Sequence, residues 1–281
     1  MTRQQGFSLV ELMISLVLGL IISGAIIQTM VSSRVTNSLN QAVAQVQESG
    51  RFIVLRLTRE LLEVGRYDQV KANVDSSVDM VVEAAFVQNR PVAVPGDFPA
   101  NRTLGSAQGA SGANDTLVVN LLAKADCAGN SYGYATGSEF HVANRYSVVS
   151  GKLQCTGFDG RVLRGLKTGA AVNQAVTLMD NVVSFQVQYG VTAQANTSEG
   201  QAVRYVTADE LAGLRTQNQQ VVAIRFGVLL QSDSANVNQT TTQQYALLNE
   251  NPVTTDKQHY FQVFTQTLGL RNMKNFVRSA Q

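Results

Sequence analysis

Glu11 is the one carboxylate in a long apolar run, Phe7-Ser8-Leu9-Val10-Glu11-Leu12-Met13-Ile14-Ser15-Leu16-Val17-Leu18-Gly19-Leu20-Ile21-Ile22. Near a bilayer interior a carboxylate costs about 2.5–3.5 kcal/mol on insertion scales, so a charge kept there calls for a cationic partner. The plainer reading is an ordinary anchor whose Glu sits near the interface. Gly6 supplies a candidate partner. No Ala-x-Ala cleavage site follows the apolar core, and the small residue lies before it. A cut after Gly6 would discard a short leader carrying Arg3, keep the helix, and leave a new amine on Phe7, about one helical turn from Glu11.

The other reactive types are few. Cys127 and Cys155 are the two cysteines. Outside the cytoplasm they would sit in an oxidising space and pair, and the bond would stabilise by about 3–4 kcal/mol. The alternative is two buried free thiols. A metal site has no support, because there is no CxxC and no Cys/His cluster. His141 and His259 have no ligand at motif spacing and read as surface or half-buried residues. Asp233-Ser234-Ala235-Asn236-Val237-Asn238 offers oxygen atoms to a calcium ion but lacks the EF-hand spacing and its Gly, so a solvated loop is expected. No Gly-x-Ser-x-Gly, P-loop, GxGxxG or HExxH occurs. No catalytic residue, metal or cofactor is expected, and the chain does not read as an enzyme.

Composition agrees. The formal charge is +2, and 15% of residues are charged against a usual figure of about 25%. No Lys/Arg cluster is present, so nucleic-acid binding has no electrostatic support. An apolar fraction of 44% is enough for a packed core.

The elements that must hold these residues follow from periodicity. Phe7 to Val31 as one helix would span about 37 Å, enough to cross a hydrocarbon core of about 30 Å. Leu39, Val43, Val46, Gly50, Ile53, Leu57, Leu61 and Val64 then recur at helical steps, and Gly65 reads as a C-cap. One helix over about 8–64 is expected, bare in its first half and amphipathic in its second. Beyond Arg66 short β-type runs alternate with turns. Strands are expected near Met80–Val87, Thr116–Leu122, Glu139–Val149, Lys152–Cys155, Arg161–Leu166, Val182–Tyr189, Val203–Val206, Val221–Leu230 and Tyr260–Leu270. Ser150-Gly151 reads as a hairpin turn, and a Cys127–Cys155 bond would tie that hairpin to the loop after the second strand. Thr207-Ala208-Asp209-Glu210 reads as a capping box opening a short helix. Asn89–Asn114 and Ser232–Gln244 read as loops.

Gly6-Phe7-Ser8-Leu9-Val10-Glu11-Leu12 resembles, residue by residue, the signal of type IV prepilins. The resemblance implies cleavage between Gly6 and Phe7 by a prepilin peptidase, methylation of the Phe7 amine, and pairing of Glu11 with the amine of a neighbouring subunit. Three further segments resemble strands of the PilW family of minor pilins: Asp180–Gly190 with its Gln-Tyr-Gly end, Val221–Leu230, and Phe264–Asn272 with its Leu-Arg-Asn end. The implied fold is α+β and pilin-like, with a long N-terminal helix packed on antiparallel sheet. The implied division is a leader at 1–6, a helix at 7–65 with a transmembrane part at about 7–31, and a periplasmic β-rich domain at 66–281. The implied function is a structural minor pilin that primes type IV pilus assembly and sits at the filament tip. Its implied partners are other minor pilins, the major pilin, the inner-membrane assembly platform and often a large tip adhesin. The implied location is the inner membrane before assembly and the pilus fibre after it. Two alternatives stay open: a minor pseudopilin of a type II secretion system, and a membrane-anchored periplasmic binding or sensor module.

Overall fold

The computed structural model describes residues 8–68, 73–193, 200–235, 237, 240–248 and 250–273. Helix α1 (Leu9–Leu61) is unbroken over 53 residues, about 80 Å at 1.5 Å per residue. Its apolar first half touches nothing, and the first buried residue is Ala42. From there Val46, Gly50, Ile53, Leu57 and Leu61 line one buried stripe at three- and four-residue steps. Gly65, at φ +72°, ends the helical turns in the left-handed region and donates its N–H to the Asn120 carbonyl at 2.9 Å.

The run Met80–Val87 is not a strand. It forms helix α2 (Met80–Asn89), because the Asp79 carboxylate accepts the N–H groups of Val81 and Val82 and caps it. The β-branched valines suggest a strand, but Glu83, Ala84 and Val87 share one buried helical face. Strand β1 (Leu117–Ala123) follows a loop with one 3₁₀ turn at Ala110–Gly112. Next come β2 (Phe140–Val149) and β3 (Lys152–Asp159). Between them Ser150 and Gly151, at φ 51° and 72°, make the expected two-residue turn with both φ positive.

The Arg161–Leu166 segment is likewise not a strand. Asp159 caps a single turn, α3 (Gly160–Leu163), by accepting the Arg161 N–H at 2.9 Å. Strand β4 (Val176–Met179), too short to stand out in the sequence, closes the first sheet in the order β1-β2-β3-β4.

The second sheet uses β5 (Val182–Val191), β6 (Arg204–Val206), helix α4 (Ala208–Thr216) as a connection, and β7 (Val221–Gln231). A small hairpin of β8 (Gln244–Tyr245) and β9 (Val253–Thr254) precedes β10 (Phe261–Gly269). The order is β10-β7-β5-β6, and every named strand pair in the chain is antiparallel. The main core lies where the α1 stripe meets both sheets, with Leu117, Tyr146, Leu153, Phe185, Tyr189, Ile224 and Phe226 among its members.

Candidate functional site

The start of α1 is where the sequence places its candidate site. Ser8 takes an extended conformation and its Oγ accepts the Glu11 N–H at 3.2 Å, while the Glu11 Oε2 accepts the Ser8 N–H at 3.4 Å. This capping box satisfies two of the amide donors that a helix N-terminus leaves open. It also fixes Glu11 in the first turn, where the helix dipole favours a negative charge. Ser15 Oγ closes back on the Glu11 carbonyl at 2.8 Å. The carboxylate is exposed and, among the described residues, has no cationic partner. Gly6 and Phe7 lie outside the described residues. The Ser-x-x-Glu spacing that makes the box was present in the sequence, but its overlap with the apolar run hid it.

Below the bare half, α1 is clamped to the domain. The Phe264 ring fills the space where a Cβ on Gly50 would stand, so the strand–helix approach there needs glycine. Asp233 N–H reaches Gln45 Oε1 at 3.2 Å near the base, and Arg271 Nη2 meets Glu63 Oε1 at 2.6 Å near the top. Asn272 Nδ2 donates to the carbonyls of Leu62 and Val64 at 3.1 and 3.0 Å, satisfying open acceptors at the helix C-terminus. The Leu-Arg-Asn ending therefore ties the last strand to the end of the first helix. Tyr146 OH donates to Glu60 Oε2 at 2.6 Å. Burial, then the Glu60 charge, pushes that phenol well above its usual range, so it stays a neutral donor.

Cys127, in the loop after β1, is bonded to Cys155 on β3, 28 positions further along the chain, with their Cα atoms 6.3 Å apart. The bond holds the β2–β3 hairpin to the loop beside Glu60, as the sequence suggested. The Gln188-Tyr189-Gly190 segment falls on β5. A Cβ on Gly190 would stand 2.8 Å from the methyls of both Ala202 and Ala223, so glycine lets the backbones close up there.

A second cluster was not visible in the sequence. Arg161 is fully buried and grips Glu83 with two bonds, Nε to Oε1 at 2.8 Å and Nη2 to Oε2 at 2.7 Å. Its Nη1 reaches Asp75 Oδ1 at 2.5 Å, and Tyr67 OH donates to Glu83 Oε2 at 2.8 Å. These contacts bind α2, α3 and the chain leaving α1 into one end of the molecule. His141, expected near the surface, is fully buried against this cluster. Asn120 Nδ2 donates to the Arg90 carbonyl at 2.7 Å, which turns its Oδ1 to His141 Nε2 at 3.0 Å. Nε2 then carries the proton, and Nδ1 faces Gly160 without a partner among the described residues. Burial first, then the charges of Arg164 and Arg161, hold the imidazole well below its usual 6.5. His259 is half-buried and pairs with Asp256 at 2.7 Å. No group of three or more His, Cys, Asp or Glu suited to a metal occurs among the described residues.

Among the described residues one helix, α1, is long and apolar enough to cross a membrane, and none of its most apolar stretch is buried. A capped carboxylate thus stands at the start of a bare apolar helix whose other half is packed into a β-domain. Two family models match. The prokaryotic N-terminal methylation motif covers residues 1–27, and Type IV Pilus-assembly protein W covers residues 139–272. The chain is thus similar to the type IV pilus-assembly protein W family over residues 139–272, and the two matches together support a minor pilin of that type. No curated protein matches at a significant level. Among solved structures it is similar to a type IV-like pilin from Thermus thermophilus, at 15% identity and a TM-score of 0.41, covering 81% of this chain and 98% of that one. The resemblance read from Gly6–Leu12 and from three strands is borne out. The structure also sets those strands, β5, β7 and β10, side by side in one sheet.

The protein is thus a minor pilin with a role in type IV pilus assembly. The matched family is one of structural pilins, which are not enzymes, and it implies interaction with other pilus components in general. Its apolar helix serves membrane anchoring and association with the pilus.

Proposed function

We propose that this minor pilin is cut between Gly6 and Phe7, methylated on the Phe7 amine, and docked through Glu11 onto the amine of a neighbouring subunit. In this reading it primes the filament with other minor pilins and stays at the tip. The domain at 66–281 lies in the periplasm before assembly. The prepilin peptidase, the inner-membrane assembly platform, the major pilin and a large tip adhesin are its other partners. The leader occupies 1–6 and the helix 7–65, of which about 7–31 crosses the membrane.

One observation carries the proposal: a single rigid helix leaves its apolar half, from Leu9 to Val35, entirely outside the protein's own core. Such a surface needs lipid or other helices around it. The carboxylate at its start gives a register to helix–helix packing that apolar side chains alone lack. Higher up, Phe52 and Leu55 stay 51% and 69% exposed on the same helix, so the face available to neighbouring helices continues past the membrane.

The test is the mature N-terminus. Mass spectrometry of the membrane-extracted protein should find a chain beginning at methylated Phe7. Retention of Met1 to Gly6 would contradict the proposal and favour an anchored binding or sensor module.

A further inference from the structure

Strand β10 is the outer strand of the second sheet, and among the described residues no strand pairs with its free edge. Ser232 N–H donates to the Tyr260 carbonyl and Leu270 N–H to the Val222 carbonyl, each at 2.8 Å. With the continuous register between β10 and β7, these bonds fix the parity. Even-numbered residues bond to β7, and the amides and carbonyls of Phe261, Val263, Thr265, Thr267 and Gly269 point outward. Among the described residues, two of these groups are met, both by side chains. Tyr245 OH reaches the Phe261 carbonyl at 3.3 Å, and Gln266 Nε2 reaches the Thr267 carbonyl at 3.4 Å.

Long edges are normally blunted by charge, proline, bulges or a covering segment. Phe-Gln-Val-Phe-Thr-Gln-Thr-Leu-Gly has no charge and no proline, and its register with β7 shows no bulge. The fold covers edges elsewhere. Bridges Val92–Val119 and Ala107–Thr116 lie along β1. Where β6 stops short, Asn114 Oδ1 and Asp115 Oδ2 accept the Phe185 and Val187 amides of β5, each at 2.7 Å. At β10 nothing comparable is present among the described residues.

We infer that the outer edge of β10 is a docking strand, which accepts an extended, uncharged edge strand of a different pilin-type subunit by main-chain pairing. This rests on the assembly role proposed above. The direction of the chain selects the occupant. From base to top, α1 residues Gln45, Gly50 and Glu63 meet Asp233, Phe264 and Arg271 in turn, so β10 ascends with α1. An antiparallel pair of two β10 strands would set two α1 helices antiparallel, whereas subunits anchored in one membrane hold theirs parallel. Antiparallel pairing is the stronger kind, so the added strand belongs to another subunit and descends relative to that subunit's own helix. The α1 helix continues alongside β10, so subunits brought together by their helices are already next to this edge.

The test uses the full-length chain in cells that make all pilus components. A photo-crosslinking residue is placed at exposed Thr267, with and without Thr265→Pro. The Thr265 N–H points outward, so proline there removes no bond to β7. The expected result is an adduct with one other prepilin-type protein that falls about tenfold in Thr265→Pro. Surface pili should fall with it, while the thermal midpoint stays near that of the wild type. If Thr265→Pro lowers the midpoint, Thr265→Lys, which charges the edge but keeps the N–H, is read in its place. An adduct with a second copy of this chain, no adduct, or an adduct and pili unchanged in the folded edge variant would overturn the inference. Normal pili in the edge variants but loss on deletion of the chain would leave the assembly role standing. Normal pili on deletion would remove that role as well.

Discussion

At the residue scale, the cap that Glu11 makes and the pairing proposed for its charge call for different measurements. Its bonds with Ser8 are local and long, at 3.2 and 3.4 Å, and a cap of this kind contributes about 1 kcal/mol. A helix of 53 residues does not depend on that. Its charge is the larger matter, since an unpaired carboxylate near lipid costs several kcal/mol. Glu11→Ala should therefore leave processing and membrane insertion intact and reduce co-isolation of other pilins by about tenfold or more. Equal co-isolation would show that the carboxylate only caps the helix. Glu11 and the cysteines were legible because each is scarce in its setting: one charge in an apolar run, and two thiols in the whole chain. The role of Asn272 was not legible, because a helix C-terminus and its cap lie some 208 positions apart in the chain.

At the scale of elements, α1 was legible because its apolar stripe repeats over many turns. The strands β2, β5, β7 and β10 were legible because long β-rich runs lie between clear turns. The failures are α2 and α3, where valines and leucines suggested strands. There the deciding residues are Asp79 and Asp159, whose carboxylates cap the helices, and Arg161, whose partners Asp75 and Glu83 lie 86 and 78 positions away.

Removing one partner of a buried ion pair leaves a bare charge, and costs about 3–5 kcal/mol. Arg161→Met should lower the unfolding free energy by that amount in denaturant titration, and adding Glu83→Gln should recover part of it. A loss below about 1 kcal/mol would mean the cluster is solvated in solution.

Acid behaviour divides between two buried groups of opposite sign. His141 is held neutral in the fold, so as pH falls through 6.5 the unfolded chain takes up its proton first and stability drops. Asp115 is raised to about 6 by burial, despite the N–H groups of Gly109 and Val187 that it accepts, with Glu250 and Asp209 adding to the rise. Its folded form takes up a proton near pH 6, well above the unfolded value of 3.8, so it adds stability as pH falls through that window. Asp115→Asn removes the compensating group. The thermal midpoint of that variant should fall more steeply than that of the wild type between pH 7 and pH 5, and a shallower slope would contradict this assignment.

At the scale of the whole molecule, two antiparallel sheets grip the upper half of one helix and leave the lower half bare. The helix-plus-sheet class could be expected from the sequence. The strand order could not, since β4 is too short to stand out and the order β10-β7-β5-β6 joins strands far apart in the chain. The bare half-helix gives the protein little to do alone and much to do beside other helices. The most direct test is to count surface pili in a strain lacking this chain, complemented with the wild type or with Glu11→Ala. Loss of pili on deletion, recovery with the wild type, and little recovery with Glu11→Ala is the predicted result, with the protein itself scarce in sheared filaments. Normal piliation in the deletion strain would contradict the assembly role outright.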